Sequence, residues 1–87
     1  MAAYAVEIVP KAEKEYLKLP ESAKDRFQEI ILSLEKDPRQ FGSKKLRGTD
    51  YYRLRSGDYR MIYSIDDKSR VVKILSIGHC KEIYKSL

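Results

Sequence analysis

From Lys44 to Tyr63 the chain reads Lys-Lys-Leu-Arg-Gly-Thr-Asp-Tyr-Tyr-Arg-Leu-Arg-Ser-Gly-Asp-Tyr-Arg-Met-Ile-Tyr. Two runs rich in tyrosine, leucine and isoleucine flank the turn signal Ser56-Gly57-Asp58, the signature of a β-hairpin. Strand side chains alternate between faces. With an even-numbered loop, Arg53, Arg55 and Arg60 share one face, and Tyr52, Leu54, Tyr59, Met61 and Tyr63 share the other. The second set needs an apolar cover. A two-residue turn at Ser56-Gly57 sets Arg53 directly opposite Arg60, and like charges so placed destabilise a sheet by roughly 0.2–1 kcal/mol. A chain tolerates that arrangement when an anion arrives to separate the charges.

The cover comes from the first half. Tyr4 to Val9 alternates weakly, with Tyr4, Val6 and Ile8 on one side, and reads as a strand. Pro10 suits the first turn of a helix running to Leu19. Pro20 breaks that helix and opens the next. There Ala23, Phe27, Ile30, Ile31 and Leu34 form a continuous apolar stripe, and Asp37-Pro38 ends it. Arg39 to Ser43 is a polar loop in which Phe41 is expected to tuck onto the core. Lys45-Leu46-Arg47-Gly48 leads into a strand at Tyr51–Arg55, followed by one from Tyr59 to Ile65. Asp66-Asp67-Lys68-Ser69 is a second turn. Arg70 to Ile77 is almost continuously apolar and so lies inside the sheet, with Gly78 ending it. His79 to Lys85 is expected to form a last helical turn. The fold class is α+β: an N-terminal strand, a two-helix hairpin, then an antiparallel β-meander forming a small sheet with the helices on one face.

At 87 residues the expectation is a single domain over 1–87. The lone Cys80 excludes an internal disulfide and a cysteine-based metal site. Met-Ala-Ala-Tyr-Ala-Val-Glu-Ile has neither a basic start nor a long apolar run, which predicts no signal peptide, no membrane span and a cytoplasmic protein. The net charge of +5 is unevenly placed: residues 1–43 carry −1 and residues 44–87 carry +6. A basic second half predicts a polyanion-binding face. Arginine offers a planar fork matched to phosphate, and no basic recognition helix for duplex DNA is present. Arginines interleaved with tyrosines suit single-stranded RNA, whose bases can lie on aromatic rings.

No Ser/His/Asp or Cys/His constellation is supported by spacing, and no metal or cofactor site is expected. Chemistry remains available without either. Arginines can stabilise a pentavalent phosphate while an RNA 2′-hydroxyl attacks its neighbouring phosphate, and such stabilisation of developing charge is often the largest catalytic term. His79, the only histidine, and Tyr84, in the polar tail, are candidate participants.

Three segments together carry a resemblance: Lys45-Leu46-Arg47-Gly48; Tyr52-Arg53-Leu54-Arg55-Ser56-Gly57-Asp58-Tyr59-Arg60-Met61-Ile62-Tyr63; and Ile77-Gly78-His79 followed by Glu82-Ile83-Tyr84. In these the sequence resembles the RelE/ParE toxin superfamily, the RelE branch in particular. The resemblance implies a ribosome-dependent endoribonuclease that cuts mRNA and is neutralised by a cognate antitoxin, in a toxin–antitoxin hetero-oligomer. It implies phosphate-binding roles for Arg53, Arg55 and Arg60, and a nucleotide-orienting role for Tyr84. Lys44, Lys45 and Arg47 would grip ribosomal RNA. One departure stands out: the position after Gly-His, commonly basic in the family, is Cys80, with Lys81 next. Arginine stays protonated and is a poor general base, so His79, Lys81 and Tyr84 are the acid–base candidates. The alternatives are a ParE-like inhibitor of DNA gyrase, and a catalytically weak member that binds RNA or antitoxin.

Overall fold

Strand β1 (Ala5–Ile8) runs through Val9 into helix α1 (Pro10–Leu17). The computed structural model describes residues 3–80. Pro10 sits in the first turn of α1, where its missing N–H would have had no helical acceptor anyway. Pro20 is the N-cap of α2 (Glu21–Leu34), so the break between the helices falls where the sequence predicts it. Ala12, Leu19, Ala23, Phe27 and Leu34 are buried, with Ile30 and Ile31 partly buried against them. Among the described residues no helix is long and apolar enough to cross a membrane.

After α2 come β2 (Lys44–Lys45), β3 (Tyr51–Ser56), β4 (Tyr59–Asp66) and β5 (Val71–His79). They form one sheet with β1 in the order β1-β5-β4-β3-β2, in which β1 and β5 are parallel and the other pairs antiparallel. The helices cover one face, joining Leu54, Met61, Tyr63, Val72, Ile74 and Ile77 in a single apolar cluster. The α+β architecture with helices on one face is therefore as expected. β5 is an interior strand, which accounts for its apolar run.

Four details differ from expectation. The two-residue strand β2, opposite Arg53 and Tyr52, is too short to leave a pattern in the sequence. β5 does not stop at Gly78 but continues to His79, which pairs with Tyr59, and the Cys80 N–H then donates to the Asp58 carbonyl (2.9 Å). His79 thus finishes the strand, and the helical conformation starts at Cys80, one residue later than expected; residues 81–85 lie outside the described residues. Phe41 is fully exposed. Pro38, just before that loop, is buried instead, held by the Tyr63 hydroxyl, which donates to its carbonyl (2.7 Å). Finally, a bulge interrupts β5: Ile62 pairs with Ser76 and Tyr63 with Ile74, leaving Leu75 as the extra residue. The extra residue shifts the alternation, so Val72, Ile74 and Ile77 all reach the core. Beyond the end of β1, the edge of β5 is completed by α1. There Glu15 Oε1 accepts from the Ile77 N–H and the Ser76 hydroxyl, both at 3.1 Å.

Candidate nucleic-acid interface

The β3–β4 hairpin turns on Gly57-Asp58, one residue later than Ser56-Gly57. Gly57 adopts φ +61 at the first central position, where a two-residue hairpin loop favours a glycine because the turn then matches the twist of the strands. The loop is still even-numbered, so the predicted sorting of faces holds: Leu54 pairs with Met61, and Tyr52 with Tyr63, on the side of the helices. The cross-strand partners change. Arg60 stands opposite Arg55, and Arg53 stands opposite Ile62.

Arg53, Arg55 and Arg60 therefore lie together on the sheet face away from the helices. Register extends this face across the sheet. One row is Lys44, Arg53, Ile62 and Ser76; the next is Arg55, Arg60 and Gly78. A Cβ at Gly78 would meet nothing within 4 Å, whereas the Arg60 Nε in the same row is buried. Arg55 is exposed, while Arg53 and Arg60 are half-buried. The Arg55 Nε donates to the Gly57 carbonyl (2.9 Å). Arg55 is thus held by the turn backbone and not by Asp58, as a simple surface pair would require. Among the described residues neither Arg53 nor Arg55 belongs to an ion pair.

The other candidates divide. Lys44 joins the arginine face through its pairing with Arg53, whereas Lys45 pairs with Tyr52 on the other face. Lys45 and Arg47 instead line an open hollow of about 410 Å³ built by residues 45–50. His79 pairs with Tyr59 and meets its ring edge-on (5.8 Å between centroids). That register puts His79 on the helix side, so the fold does not bring it to the arginine face. Lys81 and Tyr84 lie outside the described residues. The chain leaves β5 at Cys80, however, and Cys80 is hydrogen-bonded to the turn that carries Arg55 and Arg60. Among the described residues no three of His, Cys, Asp and Glu gather into a metal-sized cluster.

A second polar cluster sits at the opposite end of the sheet and was not anticipated. Arg39 Nη1 and Nη2 donate to Asp67 Oδ1 and Oδ2 (3.0 and 2.9 Å), and Arg39 Nε donates to the Tyr52 hydroxyl (3.2 Å). The guanidinium also lies 5.4 Å from the centre of the Tyr52 ring, and Tyr4 donates to Asp67 Oδ1 (2.6 Å). Arg39 first, and then Tyr4, hold the Asp67 carboxyl down at about 2. The Tyr4 phenol is raised, chiefly because its proton is engaged by Asp67. Tyr52 stacks on Tyr63, whose phenol burial pushes up to about 12. The participants are distant in sequence and no local pattern joins them.

The description "ParE toxin of type II toxin–antitoxin system, parDE" belongs to a family model that matches residues 6–84. The chain is 33% identical over 79 residues to the mRNA interferase toxin RelE of Escherichia coli, covering 87% of this chain and 82% of that one. It is 32% identical over 87 residues to the putative toxin RelE1 of Methanocaldococcus jannaschii, covering 95% and 97%. The crystal structure of the archaeal RelE–RelB complex from Pyrococcus horikoshii superposes with a TM-score of 0.82 at 39% identity, covering 94% of this chain and 99% of that one. Isolated Escherichia coli RelE gives 0.81 at 28% identity, covering 97% and 94%. By sequence and by fold, the chain belongs to the RelE/ParE toxin superfamily.

Proposed function

We propose that this chain is a metal-independent mRNA endonuclease toxin that acts at the ribosome, in the cytoplasm, and is silenced by a cognate antitoxin, with residues 1–87 working as one toxin domain. The observation that carries this reading is the gathering of Arg53, Arg55 and Arg60 on the sheet face away from the helices, with Arg60 set opposite Arg55. Their guanidinium groups hold the scissile phosphate and neutralise the charge that grows on it. The 2′-oxygen of the preceding ribose attacks phosphorus and loses its proton. The bond from phosphorus to the 5′-oxygen breaks, and that oxygen gains a proton. The products are a 2′,3′-cyclic phosphate and a 5′-hydroxyl end. We assign the proton transfers to Lys81 or Tyr84 rather than His79, because His79 pairs with Tyr59 on the far side of the sheet. Tyr84 also orients the base. Lys44, in the row of Arg53, and Lys45 and Arg47, at the hollow of residues 45–50, grip ribosomal RNA.

The relatives' names support this reading, since one is an mRNA interferase and another is a RelE–RelB complex. For the antitoxin, the edge of β1, which among the described residues pairs with β5 alone, suits a partner segment that adds a strand. Acidic side chains on that segment would neutralise the basic second half. Mapping mRNA 5′ ends in a translating extract tests the reading: new ends inside coding sequence are expected, about 10²–10³-fold fewer with Arg60→Ala. Intact mRNA with translation unchanged would sink it.

The family model's own description favours a second reading, a ParE-like inhibitor of DNA gyrase. A block of gyrase supercoiling that survives Arg60→Ala would establish that reading in place of the first.

A further inference from the structure

Six tyrosines lie among the described residues, and five of them are tied down. Tyr4 bonds to Asp67, Tyr16 to the Lys24 carbonyl and Tyr63 to the Pro38 carbonyl. Tyr52 is held by Arg39 and stacks on Tyr63, and Tyr59 meets His79. Tyr51 differs. Its backbone is fixed at the close of the β2–β3 loop: its N–H donates to Thr49 Oγ1 (3.1 Å) and its carbonyl accepts from the Leu46 N–H (2.8 Å). Its side chain has no hydrogen bond or ring partner among the described residues and is 38% exposed. A buried tyrosine usually finds a partner for its hydroxyl; Tyr51 instead presents its ring to solvent.

Register puts Tyr51 on the arginine face. Along β3 that face carries Tyr51, Arg53 and Arg55 at successive strand repeats, about 6.4–6.8 Å apart. Across the sheet, Tyr51 heads the row Ser64, Lys73 and Glu7. Those three residues help line a hollow of about 360 Å³ on the same face, and the Tyr51 ring is itself solvent-exposed. A phosphate held by the arginines leaves its flanking bases near the sheet, and an exposed ring in line with them is a surface on which any base can stack.

We propose that Tyr51 is a base-stacking platform for single-stranded RNA, two positions along β3 from Arg53 on the phosphate-binding face. Tyr51 takes its substrate class from the nuclease reading above, but its role is in binding and is measured without cleavage.

The test uses the purified full chain and fluorescein-labelled hexamers of adenosine and of uridine, with affinity read by anisotropy at several salt concentrations. Tyr51→Ala is expected to weaken binding of the adenosine hexamer about 10-fold, with Tyr51→Phe within about 2-fold of wild type. Loss of stacking leaves the salt dependence as in wild type, whereas Arg55→Ala should reduce the log–log salt slope by roughly 0.7. Tyr51→Leu keeps apolar bulk on the strand, so binding as weak as that of Tyr51→Ala separates stacking from folding. Binding by Tyr51→Leu and Tyr51→Ala within about 2-fold of wild type would overturn the proposal, as would a wild-type chain that binds neither hexamer. Tyrosine-dependent binding without mRNA cleavage would remove the nuclease reading alone. Cleavage with tyrosine-independent binding would remove the Tyr51 role alone.

Discussion

At the β4–β5 end of the sheet, Arg39 grips Asp67 through both terminal nitrogens and rests against Tyr52. At the β3–β4 end, Arg55 bonds to a turn carbonyl and stands opposite Arg60. The residue type is the same and the surroundings are opposite. Arg39 draws the α2–β2 loop, the start of β1 and the β4–β5 turn together around one carboxylate. Such an arginine is satisfied within the fold. Arg55 is exposed and stands opposite a second cation, the half-buried Arg60, and like charges facing each other across a sheet are unfavourable. An arginine's cross-strand and through-space partners, more than its identity, separate a clasp from a binding group.

The largest effect should come from crossing this distinction at the hairpin end. Arg55→Ala is expected to lower mRNA cleavage in a translating extract by about 10²–10³-fold. Its thermal midpoint should stay level or rise, since removing one of two facing cations relieves repulsion of roughly 0.2–1 kcal/mol. Circular dichroism melts alongside end-mapping check both. A clear fall in midpoint with cleavage intact would make Arg55 a structural residue and collapse the contrast.

At the other end the signs reverse. Tyr63→Phe removes the donor to the buried Pro38 carbonyl, and leaving such a group unsatisfied costs about 1–3 kcal/mol. In a domain of this size each kcal/mol lowers the midpoint by about 4–8 °C. Cleavage per folded molecule should not change. Arg39→Ala should lower the midpoint less, because the pair it breaks is about half exposed and water screens it. That smaller loss should fade in high salt.

Much of this was legible in the sequence. The stripe from Ala23 to Leu34, the prolines at 10 and 20 and the alternation around Gly57 dictate helices, break and hairpin, and with them the arginine face. Register was not legible to the last residue. Ser56, Gly57 and Asp58 each accept a turn, and only the left-handed backbone of Gly57 at the first central position settles that Arg60 meets Arg55 and not Arg53. β2 is too short to leave a periodicity. Leu75 is one more apolar residue in an apolar run, so the bulge there has no local mark. The Arg39–Asp67–Tyr4 cluster joins groups as much as 63 positions apart. The Asp66-Asp67 pair reads as a turn, and it is one: Asp66 caps the N–H groups of Lys68 and Ser69. The further task of Asp67 depends wholly on tertiary placement.

The smallest expected effect is a pH dependence confined to one end of the sheet. The Asp67 carboxyl is held at about 2, below its ordinary 3.8. Between those values the unfolded chain binds a proton that the folded chain does not, so stability rises with pH across that window. The Asp67 contribution is fully present above about pH 4 and is lost as the pH falls toward 2. The Asp66 carboxyl is also lowered, first by the backbone N–H of Ser69, and acts with the same sign. Asp67→Asn should therefore flatten, without abolishing, the decline in thermal midpoint from pH 4 to pH 2. Arg39→Ala should do the same to a lesser extent, since Tyr4 still donates to Asp67. Arg55→Ala should leave the slope as in wild type, because among the described residues Arg55 is in no ion pair with a carboxylate. If Arg55→Ala did flatten the slope, an acid would be coupled to the hairpin in the folded chain. The β3–β4 end would then be a second clasp, and Arg55 would be a structural residue and not a phosphate-binding one.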